Sequence, residues 1–164
     1  MTPPGLNVRP MAEADAQYVV DLCNVEHARE FVHGPSFDEV VAGLARPEAT
    51  TYIMETGGRS VGLFRIAWVG EPAWLAELRL IVVGEPGKGY GRAALHWVRR
   101  HAFEDRGVRR VHLEVVADNA RARALYERCG FVQEGAFRDG FRAGDGTFRD
   151  LIPYGMLATE YRAP

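Results

Sequence analysis

The run from Leu78 to Arg106 constrains the fold more than any other stretch. Leu78-Arg79-Leu80-Ile81-Val82-Val83 is apolar and branched, the pattern of a buried strand. It ends in Gly84-Glu85-Pro86-Gly87-Lys88-Gly89-Tyr90-Gly91, and the residues from Arg92 to Phe103 follow with helical periodicity. Leu95, Val98 and Ala102 share one face, Ala94 and Trp97 flank them, and the arginines lie opposite. A strand, a glycine loop and a helix start therefore succeed one another. The first N–H groups of a helix lack intrahelical acceptors and sit at the positive end of its dipole. Glycines let an anion approach those groups closely, and Lys88 and Arg92 add charge. The stretch reads either as a phosphate cradle or as a tight connection. It is not a P-loop, because no Gly-Lys-Ser/Thr closes it, and it is not Gly-x-Gly-x-x-Gly, because Ala94 stands three positions after Gly91.

The flanking sequence predicts the remaining elements. Leu6–Met11 reads as a first strand, and Glu13–Leu22 as a helix with Ala16, Val19, Val20 and Cys23 inward. Asn24–Pro35 has no clean period and is read as irregular or short helix, with His27 and His33 as surface histidines. Ser36 and Glu39 form a capping-box pattern for a second helix, Phe37–Ala45, with Val40, Val41 and Leu44 apolar. Thr51–Thr56 and Ser60–Trp68 flank a glycine turn as a hairpin, and a strand from Ala73 to Val82 leads into the loop. Gly107 suits the end of the third helix. Val111–Val116 reads as the fifth strand, and Asn119–Cys129 as a fourth helix with Ala122, Leu125, Tyr126 and Cys129 on one face. Phe131–Arg138 and Thr147–Leu157 read as the last two strands, with a loop between them.

The chain has 164 residues, 47% hydrophobic and 26% charged, enough for one globular domain spanning 1–164. A net charge of −2 argues against nucleic acid as a principal partner. No window is long and apolar enough to span a membrane, and the opening Met1–Gly5 lacks a leader pattern, so the cytoplasm is the expected compartment. Cys23 and Cys129 fit no metal-ligand spacing, and no metal is expected.

Asp118-Asn119-Ala120-Arg121-Ala122-Arg123-Ala124-Leu125-Tyr126-Glu127-Arg128-Cys129-Gly130-Phe131 resembles the second signature of the GCN5-related N-acetyltransferase (GNAT) family. The loop from Gly87 to Gly91 is similar to that family's pyrophosphate motif, Gln/Arg-x-x-Gly-x-Gly/Ala, with its glycines at Gly89 and Gly91. Pro86 occupies the Gln/Arg position and has no N–H to offer. The tail from Phe131 to Tyr161 is similar to the acetyltransferases of ribosomal-protein N-termini and their relatives. The resemblance implies an α/β GNAT fold: a mixed, mostly antiparallel sheet of about seven strands, splayed between strands four and five, with about four helices. It also implies acetyl-CoA as co-substrate, in a cleft where strand four parts from strand five. The backbone of Ile81, Val82 and Val83 would pair with the pantetheine. The pyrophosphate would rest on Gly87, Lys88, Gly89, Tyr90, Gly91 and Arg92.

Transfer to an amine needs the amine neutral, a donor for the oxyanion and a proton for the leaving thiolate. An alkyl ammonium of pKa roughly 10.4 needs a base. Glu77 is the candidate base, or else a surface carboxylate paired with Arg79 or Arg65. Tyr126 is the candidate acid and also belongs to the inward stripe of its helix. Asn119 suits a helix cap and a coenzyme contact, and the amides of Ile81–Val83 could polarise the thioester carbonyl. Cys129 reads as packing rather than as an acetyl carrier. The acceptor classes expected are a protein N-terminal amine first and a small amine (polyamine, amino acid or antibiotic) second. A non-catalytic acyl-CoA sensor is the reading from another class. Exposed late strands make a homodimer plausible.

Overall fold

The computed structural model describes residues 5–163; Met1–Pro4, which bear on the leader reading, lie outside the described residues. The elements are β1 (Asn7–Pro10), α1 (Ala16–Cys23), α2 (Glu26–Arg29), α3 (Phe37–Leu44), β2 (Ala49–Thr56), β3 (Arg59–Val69), β4 (Leu75–Val83), α4 (Tyr90–Arg100), β5 (Arg110–Val116), α5 (Ala120–Arg128), β6 (Val132–Gln133), β7 (Phe137–Arg142) and β8 (Phe148–Leu157). The strands bond in the order β1-β2-β3-β4-β5-β8-β6, with β7 on β8. The sheet is mixed: β1–β2, β2–β3 and β5–β8 are antiparallel, whereas β4 and β5 run parallel.

Among the described residues there are eight strands and five α-helices, close to the expected about seven and about four, and the mixed α/β sheet is as expected. The additional helix, α2, falls where periodicity was lost. The additional strand comes from a break in Phe131–Arg138. Arg110 Nη1 donates to Glu134 Oε1 (2.7 Å), and that carboxyl lies over Gly155, where an added Cβ would come within 2.5 Å of it. The chain thus leaves the sheet after Gln133 and returns at Phe137. β7 then runs to Arg142, through residues read as loop, with an irregular register between Phe137 and Phe141. At the end of α4 the backbone widens into a π turn over His101–Asp105, closed by His101 Nδ1 and Asp105 Oδ2 at 2.8 Å.

The chain forms two compact units: residues up to Ala67 with Arg79–Ala94, and Trp68–Leu78 with everything from Leu95 on. The core of the first holds Met11, Ala16, Val19, Leu22, Cys23, Ala28, Ile53, Leu63 and Val82. Leu22 rather than Val20 completes the α1 stripe, because the three-residue step from Val19 lands there. Arg9 fastens this unit. It donates two hydrogen bonds to the Asp15 carboxylate (2.7 and 2.9 Å) and one from Nε to Glu55 (2.9 Å), tying β1 to β2 and to the turn before α1. The Arg9 guanidinium holds the Asp15 carboxyl below the usual range. The capping box of α3 forms as expected: Ser36 Oγ accepts from Glu39 N (3.3 Å), and Glu39 Oε2 accepts from Ser36 N (2.8 Å). Its apolar face is only partly covered, with Val40 and Val41 half-buried and Leu44 exposed. In the second unit Leu95, Val98, Ala102, Val111, Leu113, Tyr126, Tyr154 and Met156 are buried.

Candidate active site

The coenzyme residues predicted from sequence, apart from Asn119 and Tyr126, lie together in the first unit. Gly62 on β3 is needed there, because a Cβ at that position would lie 2.9 Å from the Val82 carbonyl oxygen of β4. Just beyond, Gly84 N donates to Val61 O (2.9 Å) and fixes where the loop leaves the sheet. Gly87 and Gly89 take φ of +90° and +84°, the left-handed region that a side chain disfavours. An ideal Cβ at either would meet nothing within 4 Å, so the loop is open on the side where a ligand would lie. Glycine is required here by backbone conformation rather than by crowding. Gly89 O accepts from Ala93 N (3.0 Å), which starts α4 at Tyr90 and leaves Tyr90, Gly91 and Arg92 in the acceptor-poor first turn. Lys88 and Arg92 are exposed. The nearby Glu85 carboxylate is paired with Arg59 (2.8 Å), which reduces its repulsion toward an anion. The amides that remain after Pro86 therefore fit a diphosphate.

His27, read as a surface histidine, does more than that. Its Nε2 donates to the Val83 carbonyl at 2.9 Å, so α2 meets the end of β4 at a residue assigned to the coenzyme. Nothing in the local sequence signals this contact across 56 positions. Next to these residues is a cavity of about 630 Å³ within the same unit, lined by Met11, Val19 and Leu80 among apolar groups and by Glu39, Arg46 and Arg65 among charged ones. Leu80 immediately precedes the Ile81–Val83 segment.

The second unit holds Glu77, Asn119 and Tyr126. β4 and β5 pair in register from Leu75↔Arg110 to Leu78↔Leu113, which sets Glu77, half-buried, beside His112. Asn119 caps α5, its Oδ1 accepting from Ala122 N at 3.1 Å. Tyr126 is 5% exposed, and burial pushes its phenol well above the ordinary value of roughly 10. Its ring meets Phe131 and Tyr154 edge-on, with centroids 6.3 and 5.9 Å apart. Tyr154 is positioned in turn: its hydroxyl donates to Glu127 Oε1 (2.8 Å) and accepts from Arg123 Nε (3.3 Å). Arg123 Nη1 also donates to Ala117 O (3.1 Å), bracing the entry to α5. The i, i+4 spacing of Arg123 and Glu127 was a signal for this support, whereas Tyr154 was not visible in it. Both cysteines are buried, and burial raises the Cys23 thiol to about 11. Among the described residues no group of three or more His, Cys, Asp or Glu side chains could hold a metal ion, and no helix is long and apolar enough to cross a membrane.

The model of the acetyltransferase (GNAT) family matches residues 16–131, more than two-thirds of the chain. A spermidine N(1)-acetyltransferase of Vibrio cholerae is 28% identical over 165 residues, covering 95% of each chain. A Bacillus subtilis protein provisionally named the ribosomal N-acetyltransferase YdaF is 37% identical, but over 75 residues, 46% of this chain and 40% of its own. The likeness to the spermidine enzyme runs the full length, whereas that to the ribosomal one, which lends the expected subgroup weak support, covers less than half of each chain. The crystal structure of spermidine N-acetyltransferase from Vibrio cholerae with CoA and spermine superposes with a TM-score of 0.86 at 22% identity, over 97% of this chain and 99% of that one. A dodecameric structure of the same enzyme gives 0.82 at 24%, over 97% of each chain. The matched stretch takes in both the glycine loop opening α4 and the Asn119–Phe131 signature: the chain belongs to the GNAT family and is an acetyl-CoA-dependent N-acetyltransferase.

Proposed function

We propose that residues 1–164 form one N-acetyltransferase domain that moves acetyl directly from acetyl-CoA to the primary amine of a small molecule. The observation that carries this reading is the loop from Gly84 to Tyr90, whose left-handed glycines deliver the first amides of α4 beside the end of β4. The full-length likeness to a spermidine acetyltransferase supports a small amine. The protein N-terminal amine, the first expectation from the sequence, rests on the tail's resemblance and a match over 75 residues.

The coenzyme supplies an activated thioester, and the chain's own residues do the rest. The amides of Gly87 and Gly89–Arg92 bind the diphosphate, with Lys88 and Arg92 screening its charge. Ile81, Val82 and Val83 offer main-chain partners to the pantetheine, and their amides polarise the carbonyl. Glu77 takes the ammonium proton, through water, so that a neutral amine attacks. Tyr126 returns a proton to the sulfur, and its raised pKa keeps the phenol neutral and able to donate. Asn119 orients α5 and contacts the coenzyme. The cytoplasm is the compartment we assign. Self-association follows from exposed Val132, Phe137, Phe148 and Leu157 on the late strands, and the dodecameric neighbour supports it.

Thiol release from acetyl-CoA with a panel of amines tests the assignment. Release that depends on a small amine is expected. Tight binding of acetyl-CoA with no release for any amine would instead mark a non-catalytic sensor.

A further inference from the structure

The cavity beside Leu80 has the wrong charge for a polycation. Its acidic lining residue is Glu39, and that carboxylate already accepts from Ser36 N (2.8 Å) and Ser36 Oγ (3.0 Å) in the α3 cap. Its cationic lining residues are Arg46 and Arg65, and His33 also lines it. Arg65 interrupts the apolar run Leu63-Phe64-Arg65-Ile66 of β3, opposite Thr51 of β2, which also lines the cavity. Its guanidinium reaches to α3, where a Cβ added at Gly43 would lie 3.7 Å from Nη2. Arg65 Nε is buried and has no hydrogen-bond partner. Desolvation lowers the Arg65 pKa, Arg79 and Arg46 lower it further, and Glu48 offsets this only in part. A desolvated cation with cationic neighbours and an unsatisfied donor is costly unless a counter-anion completes it. A volume of about 630 Å³ suits a small organic ligand.

We propose that this cavity receives the carboxylate of the acceptor, with Arg65 as the specificity-determining residue, so that the acceptor is a primary amine that also carries an acid group, of the amino-acid class, and not a polyamine. The proposal rests on the acetyltransferase reading and narrows its acceptor. It also separates this chain from what its spermidine-acetylating relative is named for.

Matched acceptors test it, with the amine kept and the carboxylate removed: γ-aminobutyrate against butylamine, β-alanine against propylamine, and putrescine and spermidine as polycations. Thiol release by the wild-type protein should give kcat/KM about tenfold or more higher for the carboxylate member of each pair, the range of a charged hydrogen bond. Arg65→Gln should raise KM for γ-aminobutyrate by a similar factor while acetyl-CoA affinity holds, and Arg65→Lys should recover part of the loss. Faster acetylation of spermidine or putrescine than of either amino acid overturns the proposal and leaves the small-amine function standing. A carboxylate preference untouched by Arg65→Gln overturns the role of Arg65. If no amine releases thiol, calorimetry with γ-aminobutyrate decides the site separately: heat in the wild type that is absent in Arg65→Gln supports it, and no heat in the wild type overturns it. Should Arg65→Gln fail to fold, the wild-type pairs and Arg65→Lys carry the test.

Discussion

The loop from Gly84 to Tyr90 and the helix α5, to which we assign parts of one reaction, are built from opposite materials. The loop works through main-chain groups on an exposed surface, and its glycines are held by a left-handed backbone rather than by neighbours. Helix α5 works through side chains, with Tyr126 buried among aromatic rings and its neighbour Tyr154 fixed by Arg123 and Glu127. The first design fails when the backbone can no longer adopt its conformation or when charge is misplaced. The second fails when a single functional group is removed, even if the fold is kept.

The largest effect should come from Gly89→Asp. A φ of +84° strains the new residue, and its carboxylate would face the diphosphate, so affinity for acetyl-CoA should fall on the order of 10³-fold. Calorimetry reads this, and Gly89→Asn separates the causes because asparagine tolerates positive φ and carries no charge. If both variants bind normally, the loop is only a turn. Next in size, Tyr126→Phe should lower kcat about 10²-fold while acetyl-CoA affinity stays within about twofold, since only the proton donor is lost. Equal losses in rate and affinity would assign Tyr126 to packing instead.

The two units should also part company with pH. Asp15 is held low by Arg9, so its contribution is full above the unfolded carboxyl value of roughly 3.9 and is lost as pH falls below it. Tyr126 is pushed up by burial, so its contribution is full below roughly 10 and declines as pH rises past that point. Amide exchange in β1 and α1 should therefore loosen first in acid, and that in α5 first in base. Asp15→Asn should remove about 1–2 kcal/mol and much of the acid sensitivity. Trp68, Trp74 and Trp97 all belong to the second unit, so their fluorescence gives an independent readout of the alkaline change. The smallest effects should come from the helix caps. Ser36→Ala and Asn119→Ala should each cost about 1 kcal/mol in thermal unfolding. Only Asn119→Ala should also weaken acetyl-CoA binding; equal binding by both variants would confine Asn119 to capping.

What the sequence made legible follows the same division. Short-range patterns were readable: the loop glycines, the Ser36–Glu39 box, the hairpin and the stripe that includes Tyr126 all lie within a few residues of their partners. What needed the fold involves distant partners. Arg9 finds Asp15 nearby but Glu55 across a strand pair, His27 reaches Val83, and Arg110 draws Glu134 away and splits one expected strand into β6 and β7. Arg65 entered the sequence reading only as a partner for Glu77, and nothing local could show that its Nε is buried without a hydrogen-bond partner beside a cavity. The first acceptor class was read from the resemblance of the tail, whereas the likeness that runs the full length is to a spermidine acetyltransferase.

We assign the coenzyme's diphosphate to the amides opening α4 and the arm that follows to β4. Titration of an amide-resolved NMR spectrum with CoA tests this assignment. The largest shifts are expected at Gly87, Gly89, Tyr90, Gly91 and Arg92, continuing to Ile81, Val82 and Val83. Saturable binding that leaves those amides unmoved and shifts others would contradict it.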